Sequence, residues 1–114
     1  FAEIESEDDI KNIKPDFDKL INLDGQGLII SSKSEQFDFV SRYFCPKYGI
    51  NEDPVTGSAH TTLIPYWADK LNKSSMTAKQ ISNRGGILYC TNLDERVLIG
   101  GKAVLYMKGV IEIT

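Results

Sequence analysis

Apolar residues recur at helical spacing in one long stretch of this chain. Between Gly57 and Leu71, the side chains of Ala59, Leu63, Ile64, Tyr66, Trp67, Ala68 and Leu71 cover a wide arc and leave few solvated positions. A helix of that kind belongs inside a fold and not on its surface. Pro65 lies beyond its first turn, where it removes one intrahelical bond and favours a kink. In an exposed helix interior that costs about 3 kcal/mol, so tertiary support is expected. Before this helix, Phe1–Glu5 alternate as a half-buried strand. Ser6 followed by Glu7, Asp8 and Asp9 starts a short helix with Ile10 and Ile13 as its apolar face, and Asp16–Ile21 form a second short helix behind Pro15. Leu28–Ser32 read as a buried strand, and Phe37–Phe44 as a longer one that is apolar on both faces and therefore covered on both. Cys45–Asn51 read as a loop by Pro46 and Gly49. After Asn72 the period changes to that of short strands, Thr77–Ser82, Gly86–Thr91, Arg96–Ile99 and Lys102–Ile113, the last with Gly109 as a bulge. The prediction is an α+β domain over residues 1–114, with a curved antiparallel or mixed sheet wrapped around one central apolar helix.

Composition narrows the function classes. At 114 residues and 12.8 kDa the chain is long enough for a single core, and 41% hydrophobic with 25% charged residues is ordinary for a globular protein. A net charge of -3 without a basic run gives no electrostatic support for nucleic acid or an anionic membrane surface as partner. No apolar stretch approaches the ~20 residues of a membrane span, and no secretory pattern opens the chain, which is read as cytoplasmic. Cys45 and Cys90 stand far apart and are expected as free thiols. Opening on Phe1, directly in a strand, is the pattern expected of a piece of a longer polypeptide.

Candidate chemistry concentrates at Glu52–His60, read Glu-Asp-Pro-Val-Thr-Gly-Ser-Ala-His. Pro54 biases Asp53 away from the α region, and Gly57 lets a ligand approach the backbone. Thr56 or Ser58 would cap the helix; if its first amides are uncapped, they point at an anion with the helix dipole behind them. Asp53 is either a capping residue or the acidic group of a site, and Ser58 is a hydrogen-bond donor to a substrate but not a nucleophile, since no Gly-x-Ser-x-Gly is present. His60, the one histidine, reads as packed or capping, and Arg84-Gly-Gly as a hairpin bend before an anion-binding turn. One histidine and two distant cysteines assemble no metal cluster.

Arg42-Tyr-Phe-Cys-Pro, the block Gly49–His60, Pro65-Tyr-Trp-Ala, Lys79-Gln-Ile-Ser, Arg84-Gly-Gly and Arg96-Val-Leu-Ile together resemble the phenazine-biosynthesis PhzF-like isomerase family, over nearly the whole chain. The resemblance implies the C-terminal lobe of a diaminopimelate-epimerase-like fold, in which two similar lobes each wrap a sheet around a helix and the active site lies between them. It implies that Asp53 lines the substrate pocket and that Gly57 and Ser58, with Thr56 beside them, offer donors to a substrate carboxylate. It also places the principal acid/base glutamate in the other lobe, which this sequence does not carry. The cysteine pair of the epimerase relatives has no counterpart at Thr56–Ser58.

The leading reading is thus one lobe of a cofactor-free isomerase that moves a proton on a small carboxylate-bearing substrate, inactive without its N-terminal lobe. The alternative is a non-catalytic small-anion-binding or assembly domain. A homodimer stays open, since apolar surface left by an absent lobe favours association.

Overall fold

The computed structural model describes residues Phe1–Thr114. Its elements are β1 (Ala2–Glu3), α1 (Glu7–Asn12), α2 (Phe17–Ile21), β2 (Leu28–Lys33), β3 (Phe39–Cys45), a 3-10 turn (Pro46–Tyr48), β4 (Ile50–Asp53), α3 (Gly57–Leu71), β5 (Ser75–Gln80), β6 (Gly86–Asn92) and β7 (Val97–Gly100). The strands form one seven-stranded mixed sheet in the order β1-β2-β3-β5-β6-β7, with β4 paired to β3 off that path. The α+β architecture read from the sequence is the one observed. No helix is long and apolar enough to cross a membrane.

Period-2 alternation along β3 explains why the sheet carries a core on each face. On one face, Phe39 joins Leu63, Ile64, Trp67 and Ala68 of α3 and Met76, Ala78, Leu88 and Cys90 of β5 and β6. On the other, Val40 and Phe44 join Ile10 of α1 and Ile30 of β2. Ser6 caps the first short helix as expected, accepting from Asp9 N at 3.1 Å, and Asp16, read from the sequence as part of the second helix, instead caps it by accepting from Lys19 N at 3.1 Å. The α3 helix runs without a break through Pro65; buried Leu63, Ile64 and Trp67 beside it provide the support that its missing bond requires. Trp67 is the keystone of this layer. Its ring stacks on Phe39 at 5.7 Å and an interplanar angle of 8°, and its Nε1–H donates to Ser31 Oγ at 2.9 Å.

β3 changes its neighbour along one edge. Over Phe39–Ser41 it pairs in parallel with β5, Ser41 opposite Gln80, and over Tyr43–Cys45 it pairs antiparallel with β4, Tyr43 opposite Asp53. The ends of β4 and β5 therefore meet at a fork beside β3. This fork is where the chain passes into α3.

Three expectations need correction. Cys45–Asn51 is not a loop: Pro46–Tyr48 form a 3-10 turn that Gly49 ends in the left-handed region at φ 77°, and the chain then returns antiparallel to β3 as β4. Phe37 and Asp38 precede β3, because the Asp38 carboxylate accepts from Thr77 N at 2.7 Å and ties this segment to β5 laterally. Lys102–Ile113 belongs to no strand and Gly109 to no bulge. The segment is exposed, with Val104 at 92%, Tyr106 at 98% and Ile113 at 94%. Apolar alternation encodes a half-buried strand but not the surface that it packs on.

Truncating the keystone has a defined outcome. Trp67→Ala is expected to lower stability by about 3–5 kcal/mol through lost contacts and a cavity. Trp67→Phe, which keeps the ring stack and removes only the donor to Ser31 Oγ while that hydroxyl still donates to Val40 O, is expected to cost clearly less. Urea unfolding midpoints at constant m decide between them.

Candidate functional site

The segment from Asp53 to Thr56 leaves β4 at the fork and turns into α3, and four of its backbone polar groups are held by side chains. Gln80 on β5, fully buried, accepts from Thr56 N through Oε1 at 2.8 Å. Its Nε2 donates to Asp53 O at 2.8 Å and to Thr56 Oγ1 at 3.0 Å. Ser82 Oγ donates to Pro54 O at 2.7 Å, and Gly85 N in turn donates to Ser82 Oγ at 3.0 Å. Close packing seals the arrangement: a Cβ on Gly86 would lie 2.4 Å from Val55 Cγ2, a distance no real contact reaches. Arg84 therefore sits in a hairpin bend, as the sequence suggests, and that bend braces the motif.

Thr56 occupies the N-cap position of α3, but no side chain caps the helix. Its hydroxyl donates to Asp53 Oδ2 at 2.6 Å instead. The expectation that Thr56 or Ser58 caps α3 fails because a tertiary donor and a neighbouring carboxylate together take the hydroxyl first. Ser58 is exposed and only its carbonyl is used, by Thr61 Oγ1 at 2.6 Å. Asp53 likewise does not cap: it ends β4, half-buried, with its carboxylate fixed by Thr56. Asp53, Thr56 and Gly57 are thus brought together at the open N-terminus of a 15-residue helix, with Ser58 exposed one residue further on. The aligned peptide dipoles of such a helix present partial positive charge there.

Beside this point lies a cleft of about 690 Å³ whose lining includes Val55, Gly57, Tyr89 and Ile99. Three cations, Lys79, Arg84 and Lys102, line it and no carboxylate does, which favours an anionic occupant. It meets the motif at Val55 and Gly57; Asp53 and Ser58 are not among its walls. A second hollow of about 560 Å³ at Glu7, Lys11 and Ser34 has no hydrophobic wall. Within it Glu7 is engaged, Lys11 Nζ lying 2.9 Å away and Ser34 Oγ donating to it at 2.6 Å.

His60 is fully buried against Phe39. Its Nδ1–H donates to Thr56 O at 2.7 Å, while Nε2 has no partner. Desolvation pushes the imidazole pKa below its ordinary value, only partly offset by the Thr56 carbonyl, so the ring is neutral and structural. Burial raises both thiols, Cys45 by direction and Cys90 to about 11, so neither is a ready nucleophile. No three His, Cys, Asp or Glu side chains converge. Glu52, the other acid of the motif, is engaged by Arg42 in a bidentate pair at 2.8 and 2.9 Å. Sequence reasoning assigned no role to Gln80. The signal was present, since Met76, Ala78 and Gln80 alternate onto one face of β5.

Comparison with known proteins agrees with the fold. The family model described as phenazine biosynthesis-like protein, PhzC-PhzF, matches residues 1–109. An uncharacterized isomerase of Pseudomonas aeruginosa is 51% identical over 111 residues, covering 97% of this chain and 42% of the relative. A phenazine biosynthesis-like domain-containing protein of Homo sapiens is 41% identical over 113 residues, covering 90% of this chain and 39% of the relative. The crystal structure of a PhzC/PhzF phenazine biosynthesis protein from Clostridium difficile superposes with a TM-score of 0.87 at 50% identity, over 97% of this chain and 43% of that one. That of a PhzF-family protein from Enterococcus faecalis gives 0.88 at 49%, over 94% and 42%. The chain thus spans about two fifths of the length of these relatives.

His60 yields a pH prediction. Its folded pKa is depressed, so its contribution to stability is intact above the unfolded value of about 6.5 and is lost as the pH falls from there through the folded value. Stability of the wild-type protein is expected to decline over that window. His60→Asn, which keeps a donor for Thr56 O and cannot titrate, should flatten the decline in chemical denaturation run from pH 8 to pH 5.

Proposed function

The chain belongs to the phenazine biosynthesis-like PhzC-PhzF family, and on that premise we propose that it is one lobe of an isomerase that moves a proton on a small carboxylate-bearing substrate without a cofactor. The observation that carries the reading is the uncapped N-terminus of α3 with a fixed carboxylate, Asp53, beside it. Amides at a helix start bind anions through both their hydrogen bonds and the helix dipole. The substrate carboxylate is anchored by the amides of Gly57 and Ser58, with the Ser58 hydroxyl as a further donor. Fixed donors of this kind also stabilise negative charge that spreads into the carboxylate when the adjacent C–H is deprotonated. Asp53, oriented by the Thr56 hydroxyl, is the polar pocket group that handles a proton from this side.

One lobe supplies one wall. Glu52 is occupied by Arg42, so Asp53 is the single free carboxylate of the motif, and the second acid/base group comes from an N-terminal lobe. The apolar arm of Val104, Leu105, Tyr106, Met107, Val110, Ile111 and Ile113, all at least 77% exposed, supports such a partner, since contiguous apolar surface of this extent marks a contact. The same arm favours the second reading, an anion-binding or assembly domain that does no chemistry.

Solvent deuterium incorporation separates the two. In the two-lobed protein, with candidate cyclic and amino-acid carboxylates, Asp53→Asn is expected to fold normally and to lose exchange by about 100-fold or more. The present chain alone is expected to give none. Undiminished exchange in Asp53→Asn would remove Asp53 from the chemistry, and exchange by the isolated chain would remove the need for a second lobe.

A further inference from the structure

A threonine at an N-cap position ordinarily accepts from the amide of the second or third helical residue, here Ser58 or Ala59. In this protein that bond is missing although the residue, its extended backbone (φ -120°, ψ 102°) and a 15-residue helix are all in place. The hydroxyl has one proton and two acceptor sites. Its proton goes to Asp53 Oδ2 at 2.6 Å and its oxygen accepts from Gln80 Nε2 at 3.0 Å. Gln80 cannot turn aside to release it. The side chain is fully buried, Oε1 is held by Thr56 N at 2.8 Å, and Nε2 also serves Asp53 O at 2.8 Å. Swapping the amide ends would set a donor against the Thr56 N–H and an acceptor against the Asp53 carbonyl, so one orientation alone is satisfied.

We infer that Gln80 is a positioning residue that keeps the α3 N-terminus open: by steering the Thr56 hydroxyl onto Asp53, it withholds from the helix its own N-cap and leaves the first amides to an anionic ligand. This rests on the anion-anchoring reading of Gly57 and Ser58 given above. One buried amide thereby couples two halves of the site, since the hydroxyl that would close the anchor is the one that orients the carboxylate. A residue that merely filled the fork would satisfy Thr56 N and Asp53 O and leave the cap unaffected.

The test is nitrogen-15 NMR of the protein with two readouts, solvent exchange of the Ser58 and Ala59 amides without added anion, and sulfate titration followed at Gly57 and Ser58. In Gln80→Met the freed hydroxyl is expected to cap the helix, slowing exchange of one of the two amides by about fivefold or more and weakening sulfate binding by a similar factor. Gln80→Glu retains an acceptor for Thr56 N and withdraws the Nε2 donor from both the hydroxyl and Asp53 O. It is expected to act in the same direction, and it decides the matter should Gln80→Met unfold. Adding Thr56→Val to either variant removes the competing hydroxyl and should restore both the fast exchange and the wild-type sulfate affinity. Unchanged or faster amide exchange in the folded single variants, or a double variant that is no different from the single, overturns the inference. The anion reading fails separately: wild-type Gly57 and Ser58 amides that ignore sulfate would sink it, while the exchange data would still decide the role of Gln80.

Discussion

Burying α3 against the sheet obliges the chain that leads into it to run through a place with little water, and every polar group there must find a partner in the protein. The fork between β4 and β5 meets this constraint for Asp53 O, Pro54 O, Thr56 N and Thr56 O, while His60 Nε2 and Ser41 Oγ are left without a partner. Because β3 gives up one neighbour for another along a single edge, Asp53 and Gln80 arrive at register positions opposite Tyr43 and Ser41, within reach of one side-chain amide. The approach to the helix is fixed by Gln80, Ser82 and His60, which hold Thr56 N, Asp53 O, Pro54 O and Thr56 O. With these bonds made elsewhere, the helix start is rigid without being capped. A ligand that binds there meets donors already in position, so little ordering is left to oppose binding.

Rigidity of this kind comes from the two cores behind it. Trp67, Phe39 and Leu63 fix α3 on one face of β3, while Val40, Phe44 and Ile10 fix the other face. Arg42 ties the layers together, pairing with Glu52 of β4 and donating to Ile10 O and Ile13 O at 2.9 and 3.0 Å. The half-buried Arg42–Glu52 pair takes one acid of the motif out of consideration for chemistry and so leaves Asp53 as the reactive candidate.

Much of this was legible in the sequence. The bounds of α3 follow from its apolar arc and from the proline and glycine that precede it, and the strands after Asn72 follow from their alternation, β5 being displaced by two residues toward its N-terminus. Capping was misjudged because the rule for Thr56 is local, whereas Gln80 reaches it from 24 positions away in sequence. Gln80 itself reads as an ordinary polar strand residue unless its parity with Met76 and Ala78 is noticed. The segment Lys102–Ile113 fails for a different reason: Leu105, Met107, Ile111 and Ile113 alternate in sequence as one face of a strand would, but side-chain pattern specifies a face and never the partner that covers it. The cleft that joins Gly57 to Arg84 has no local sequence signature, since it is made by the β5–β6 bend closing on Val55 through Gly86.

We propose that the start of α3 is held open for a carboxylate, and crystals of the protein soaked with malonate test this. The expected result is a carboxylate within hydrogen-bond distance of Gly57 N and Ser58 N, with the Thr56 hydroxyl still on Asp53. A Thr56 hydroxyl turned onto Ser58 N or Ala59 N, with the malonate elsewhere or absent, would contradict it.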